Sequence, residues 1–239
     1  MKRLFVLFIS VVLFSCGQRA QNNPASVPVN SPVDWVMTKA LQEKFTPDTI
    51  ITILKNGNTN FSSFKLTPKN DSLRMRITAD SGQYPMAAVL SCLDSRVPPE
   101  HVFDRGIGDL FIARVAGNFA NTDILGSLEY ACKVSGSKVI LVLGHENCGA
   151  IKSAIDNVQL GNITAMLRNL KSAVDSTHTD GERNSKNKKF VHDVAVKNIE
   201  FTIKKIRKDS PILDTLEKEG KLKIIGGMYD LTTGKITYY

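Results

Sequence analysis

The chain has few aromatic residues, 7% of its 239 with a single tryptophan, Trp35, and only four cysteines and four histidines. So few cysteines exclude a disulfide-dense scaffold. No apolar run approaches the roughly 18–20 residues that cross a bilayer as a helix, so no membrane-spanning helix is expected. No period recurs along the chain, which argues against a solenoid or propeller array. Lys and Arg number 31 against 23 Asp and Glu, a net charge of +8. The basic residues are scattered, and their densest cluster (Arg183, Lys186, Lys188, Lys189) lies in a polar stretch that reads as a solvated loop. No nucleic-acid-binding motif is present, so nucleic acid is not an expected partner. What remains is ordinary for a globular protein: 42% hydrophobic and 23% charged, long enough for one sizeable domain.

The first fifteen residues read as a targeting segment. Lys2 and Arg3 precede an apolar run from Leu4 to Phe14, about the length of a signal h-region and too short to span a membrane comfortably. The run ends in Leu13-Phe14-Ser15-Cys16, which resembles a bacterial lipoprotein box and implies lipidation of Cys16; an ordinary secretory signal with an incidental cysteine is the alternative. The resemblance implies a chain exported and lipid-anchored to a bacterial cell membrane, on its periplasmic side. Residues 16–33 are rich in Pro, Ser and Asn and read as a flexible tether. The expected organisation is a signal peptide over 1–15, the tether over 16–33, and one domain over 34–239.

Within that domain, Asp34 is placed to cap a helix through Trp35 and Leu41, and Thr46-Pro47 to start a second one ending near Gly57. Short runs apolar on both faces, 86–92, 110–116 and 137–144, read as buried strands. Helical spacing appears over 121–134, over 149–175 with a break near Gly161, over 191–208, and after Pro211. Two last strands, 222–230 and 235–239, are joined at Thr232-Thr233-Gly234. Helices alternating with doubly apolar strands predict an α/β fold: a mainly parallel β-sheet covered by helices, with an N-terminal helical arm. In such sheets, reactive groups gather beyond the carboxyl ends of strands.

Two motifs fall there. Cys92-Leu93-Asp94-Ser95-Arg96 follows the first strand, and His145-Glu146-Asn147-Cys148 follows the third. Two thiolates and an imidazole suit Zn²⁺, and three ligands with an open position form the catalytic rather than the structural arrangement. Asp94 and Arg96 lie close enough for the guanidinium to hold the carboxylate ionised and oriented, as an acceptor for an activated water. Cys132, beside Ala131 and Val134 in a helical pattern, reads as a small buried core residue. Two other readings of the sulfurs stay open: a Cys92–Cys148 disulfide formed after export, and a purely structural zinc with Asp94 as permanent fourth ligand.

The stretch GQYP…SCLDSRVPPE…GDLFIARVAGN…GSLEYA…LGHENCGAI, residues 82–151, resembles the beta-class carbonic anhydrases. The resemblance implies one zinc per subunit on Cys92, His145 and Cys148, with Asp94 and Arg96 as a catalytic dyad and Asp94 as fourth ligand in a closed state. It further implies that Gln83 donates a hydrogen bond to substrate oxygen, and that Gly149 offers a backbone N–H near the reacting anion. Phe111 and Tyr130 would wall an apolar CO2 pocket, Tyr130 from the partner subunit of a homodimer or dimer-based oligomer. The implied activity is reversible hydration of CO2 to bicarbonate. Two alternatives use the same residues: hydrolysis of CS2 or COS on this fold, and a non-catalytic zinc-binding lipoprotein.

Overall fold

The computed structural model describes residues 35–239. The proposed leader, Cys16, the tether and Asp34 lie outside the described residues.

The helical arm starts later than expected. Residues 35–38 are not helical; α1 spans Lys39–Lys44, and the Thr38 hydroxyl caps it by accepting from the Leu41 N–H. Helix α2, Pro47–Ser62, starts as the sequence indicates, with Thr46 as N-cap and Pro47 in the first turn. It runs past Gly57, which is a packing position rather than a stop: a Cβ there would sit 1.9 Å from the Phe103 carbonyl oxygen. Helix α3, Asp71–Ser81, carries no apolar periodicity and was not expected. Tertiary bonds hold it, because buried Arg74 pairs with buried Asp109 at 3.1 Å and also donates to the Trp35 and Ile107 carbonyls.

The sheet contains β1 (Ala87–Ser91), β2 (Leu110–Arg114), β3 (Val139–His145), β4 (Lys223–Tyr229) and β5 (Ile236–Tyr238). Their order is β2-β1-β3-β4-β5; the first four strands are parallel and β5 pairs antiparallel at the edge. Strands β1 and β3 are buried throughout, as the central strands of a sheet covered on both sides must be.

Alternation along the strands divides the core in two. Ala88, Leu90, Ile140 and Val142 face a layer containing Phe190, Val194 and Ile199. Ala87, Val89, Leu141 and Leu143 face Ile50, Ile53, Leu54 and Phe103. The first layer holds α5 (Thr122–Glu129, extended by a π-helical turn over Tyr130–Val134), α6 (Gly149–Ile155), α7 (Gly161–Leu167), α8 (Lys171–Ser176), α9 (Lys188–Asp209) and α10 (Pro211–Lys218). The arm and short α4 (Pro99–Val102) cover the other face. Among the described residues, no helix is long and apolar enough to cross a membrane.

Candidate metal centre and active site

Parallel pairing fixes where the two motifs meet. Strands β1 and β3 are neighbours in register, Ser91 opposite Leu143, so the residues after Ser91 and those at the end of β3 emerge side by side. The chain then turns tightly through Asn147, whose φ of 53° lies in the left-handed region that Asn tolerates well. That turn brings Cys148 back beside His145.

The result is a compact donor set. The Cys92 and Cys148 sulfurs are 3.9 Å apart, and they and a ring nitrogen of His145 all lie within 4.8 Å of one another. All three residues are buried, and both thiols are free, so the disulfide reading does not describe this arrangement. The His145 Nδ1 lies 2.8 Å from the Glu146 carbonyl oxygen. A carbonyl can only accept, so Nδ1 carries the proton and Nε2 keeps its lone pair. Nε2 is buried without a hydrogen-bond partner. An orphaned imidazole lone pair beside two thiols is the donor set a tetrahedral zinc completes.

The electrostatics favour one thiolate, on Cys92. Cys92 is pulled down to about 4, chiefly by the hydrogen bond from Cys148, with the Gly117 N–H and the Asp94 backbone acting the same way against burial. The Gly117 N–H reaches the Cys92 sulfur at 3.4 Å. Cys148 is pushed up by its contact with Cys92 and by burial, opposed by the backbone N–H groups of Ile151 and Ala150 at the start of α6. In the metal-free protein the two sulfurs therefore share one proton. Cys132 is buried elsewhere, with its thiol raised to about 12 by desolvation, as a core cysteine should be.

Asp94 sits at the rim, gripped by Arg96 through Nε (2.9 Å), a terminal nitrogen (2.7 Å) and its backbone N–H (3.0 Å). This bidentate pair holds the carboxyl well below its ordinary range. One Asp94 oxygen lies 3.8 Å from His145 Nε2. Asp94 thus borders the donor set while its oxygens are committed to Arg96. Gly149, the first residue of α6, is exposed with open space where a side chain would stand.

The remaining expected residues lie elsewhere. Gln83 precedes β1 and Cys92 follows it, so five strand residues at about 3.3 Å each put roughly 17 Å between them. Gln83 lines a cleft with Tyr130 and Val134. Phe111 and Tyr130 meet edge-to-face, ring centroids 6.4 Å apart, along an adjoining groove with Ala88 and Ala113. Tyr130 and Val134 are 56% and 69% exposed, far more than large apolar side chains buried in one chain's core.

The comparisons with known proteins bear on this geometry directly. The carbonic anhydrase family model matches residues 87–236, the sheet and both motifs. The chain belongs to the carbonic anhydrase family. Relatives include carbonic anhydrase 2 of Mycobacterium tuberculosis, 31% identical over 76% of this chain and 87% of that protein. A carbonic anhydrase of Mycolicibacterium smegmatis is 29% identical over 77% and 88%. Among solved structures, the Coccomyxa beta-carbonic anhydrase in complex with acetazolamide is 26% identical, with a TM-score of 0.62 over 70% of this chain and 77% of that one. The beta-carbonic anhydrase CcaA shares the fold, at a TM-score of 0.63 over 80% of this chain and 86% of that one.

Three groups that support the carbonic anhydrase motifs have no such role assigned from sequence. Arg114, at the end of β2, donates to the Cys92 carbonyl (3.0 Å) and the Asp94 carbonyl (2.6 Å), fixing the loop that carries both. Gly117 supplies the N–H to Cys92 at a φ of 84°, which glycine adopts freely. His192 of α9 reaches Glu146 inside the second motif. Only the sequence around Gly117 offered a local cue; the other two contacts arise from tertiary placement.

Proposed function

We propose that this chain catalyses the reversible hydration of CO2 to bicarbonate and a proton, with one zinc per subunit on Cys92, His145 and Cys148. The observation that carries the reading is the buried convergence of two sulfurs and an otherwise unpartnered imidazole nitrogen within 4.8 Å, beside a carboxylate gripped by arginine. Bound there, zinc supplies Lewis acidity and makes water a competent nucleophile near neutral pH.

The chain's own residues do the rest. Arg96 keeps Asp94 ionised, and Asp94 accepts a hydrogen bond from the reacting water and orients it. Arg114 holds the backbone of that loop, so the carboxylate keeps its position when substrate enters. Gly149, exposed at the start of α6, would offer its backbone N–H to the reacting anion.

Gln83, Phe111 and Tyr130 serve the site of a second copy. The clefts they line include none of Cys92, His145 and Cys148, and the exposure of Tyr130 also supports this reading. Two related structures from Sordaria macrospora are tetrameric beta-carbonic anhydrases. In a homodimer, Phe111 and Tyr130 would wall an apolar CO2 pocket and Gln83 would donate to a substrate oxygen. The leader and Cys16 support export and lipid anchoring to a bacterial cell membrane on the periplasmic side, with residues 16–33 as tether and 34–239 as catalytic domain.

Metal analysis coupled to a stopped-flow hydration assay over pH 7–9 tests the assignment. One zinc per chain with rapid CO2 turnover is expected. A zinc-loaded protein inert towards CO2 would overturn it, and preferential turnover of COS would redirect it to that substrate.

A further inference from the structure

The ligand His145 is held by a backbone carbonyl, and that carbonyl belongs to a residue whose own side chain is tied down. Glu146 is fixed at three points. Its N–H donates to the Tyr229 carbonyl at 2.9 Å, its carbonyl accepts from His145 Nδ1 at 2.8 Å, and its carboxylate oxygen lies 2.6 Å from His192 Nδ1. An ionised carboxylate only accepts, so His192 donates from Nδ1. His192 stands on α9, the longest helix of the described residues, which packs along β3 and β4. The first contact locks Glu146 to the sheet and the last locks it to the helix. Between them lies the turn that must present His145 and Cys148 to one ion, through an Asn147 in the left-handed region.

We propose that the Glu146–His192 pair is a clamp on the metal-binding turn, with both side chains acting as positioning residues for His145. Groups that orient a metal-ligating histidine set both its tautomer and the direction of its free lone pair. Here the direct partner is a peptide carbonyl, which no side-chain substitution removes. The clamp is the side-chain contact that fixes where this carbonyl points. His192 and Glu146 are only partly buried, 40% and 30% exposed, so a role in filling the core does not account for the pair. Lys197–Glu200 is an ion pair of similar exposure on the same helix whose hydrogen bond stays within that helix, and it serves as the control.

This inference rests on the zinc reading above, and the experiment separates the two. Full-length protein is loaded with zinc, and transfer of the metal to a chromophoric chelator is followed in wild type, His192→Ala, His192→Gln, Glu146→Ala, the double variant His192→Ala/Glu146→Ala, and Lys197→Ala. Loss of an outer-shell partner typically costs 10–100-fold in metal affinity or activity. Zinc release about tenfold faster is expected for His192→Ala and Glu146→Ala. The double variant should be no faster than either single variant, because the two act as one unit. Gln can still donate to the Glu146 carboxylate, so His192→Gln should recover most of the wild-type rate. Lys197→Ala should match wild type. In Co²⁺-loaded protein, the thiolate charge-transfer and d–d bands should shift in His192→Ala and return in His192→Gln. Release rates and spectra of His192→Ala and Glu146→Ala equal to wild type, or additive effects in the double variant, would overturn the clamp. Failure of the wild type itself to bind zinc would overturn the metal reading instead.

Discussion

At the scale of single residues, the proposed function divides labour between groups that would hold the metal and groups that would act beside it. Cys148 belongs to the first kind, and Cys148→Ser should leave a folded protein without bound zinc or hydration activity by metal analysis and stopped-flow. Asp94 belongs to the second. It lies outside the three-member donor set and its oxygens are engaged by Arg96, so Asp94→Asn should retain zinc. Loss of an acid–base group of this kind costs on the order of 10²-fold in turnover or more. Wild-type turnover in Asp94→Asn would remove Asp94 from the mechanism.

The sulfur pair gives a proton prediction with a definite sign. Cys92 is held at about 4, so above pH 6 it is already a thiolate in the metal-free protein. Cys148 is raised above its ordinary value, so it keeps its proton at neutral pH. Zinc needs both as thiolates, and loading must expel the Cys148 proton. Titrating metal-free protein with zinc near pH 7 in weak buffer should release about one proton per site from the sulfur pair. Zinc affinity should rise with pH over 6–8, by about tenfold per unit for that proton. An affinity flat with pH would contradict the shared-proton arrangement.

At the scale of elements, the strands were legible because they are apolar on both faces: 86–92 and 110–116 each contain an observed strand, and 137–144 covers all of β3 but His145. The two motifs were legible for the same reason: a Cys and a His-x-x-Cys each directly after such a run lie at one edge of a parallel sheet. Helix α3 was not legible, since Arg74 is its buried residue and an arginine partnered by Asp109 leaves no apolar period. The start of α1 was misplaced because Asp34 and Thr38 are both good caps, and local chemistry does not choose between them. Gly57 was read as a stop, but it lies inside α2 where the helix backbone meets Phe103. That contact predicts a large effect from a small change. Gly57→Ala improves helix propensity, yet its Cβ would overlap backbone at 1.9 Å, which flexible side chains cannot relieve. Overpacking of this kind costs about 3 kcal/mol. Urea unfolding should show a clear loss of stability, whereas a gain would mean that α2 and α4 are further apart than described. The Glu146–His192 and Arg114 contacts were beyond sequence reasoning because their partners come from separate elements, dozens of residues apart in the first case.

At the scale of the whole molecule, the question is why one chain carries Gln83, Phe111 and Tyr130, three of its expected site residues, at the other end of the sheet. His145 ends β3, and the sulfurs, Asp94 and Arg96 lie just beyond the carboxyl ends of β1 and β3. Gln83, Phe111 and Tyr130 lie towards the amino ends, in a cleft and groove that share the exposed Tyr130. Tyr130 and Val134 are exposed there, rimmed by Lys39, Glu43, Lys133 and Lys138, and a second copy seated on this face would cover them. If two copies meet there, assembly and chemistry are coupled, and a surface substitution remote from zinc should switch off the enzyme. Val134, 69% exposed at the end of the π-helical turn, is the position to test, because a charge there costs the isolated chain little. Val134→Glu should sediment as a monomer, unfold in urea as a folded protein does, and retain one zinc per chain. It should also lose most of its CO2 hydration, since the wall of the CO2 pocket and the Gln83 donor would be missing. A Val134→Glu protein that is monomeric and fully active would show that each chain completes its own site, and Gln83 and Tyr130 would then leave the mechanism.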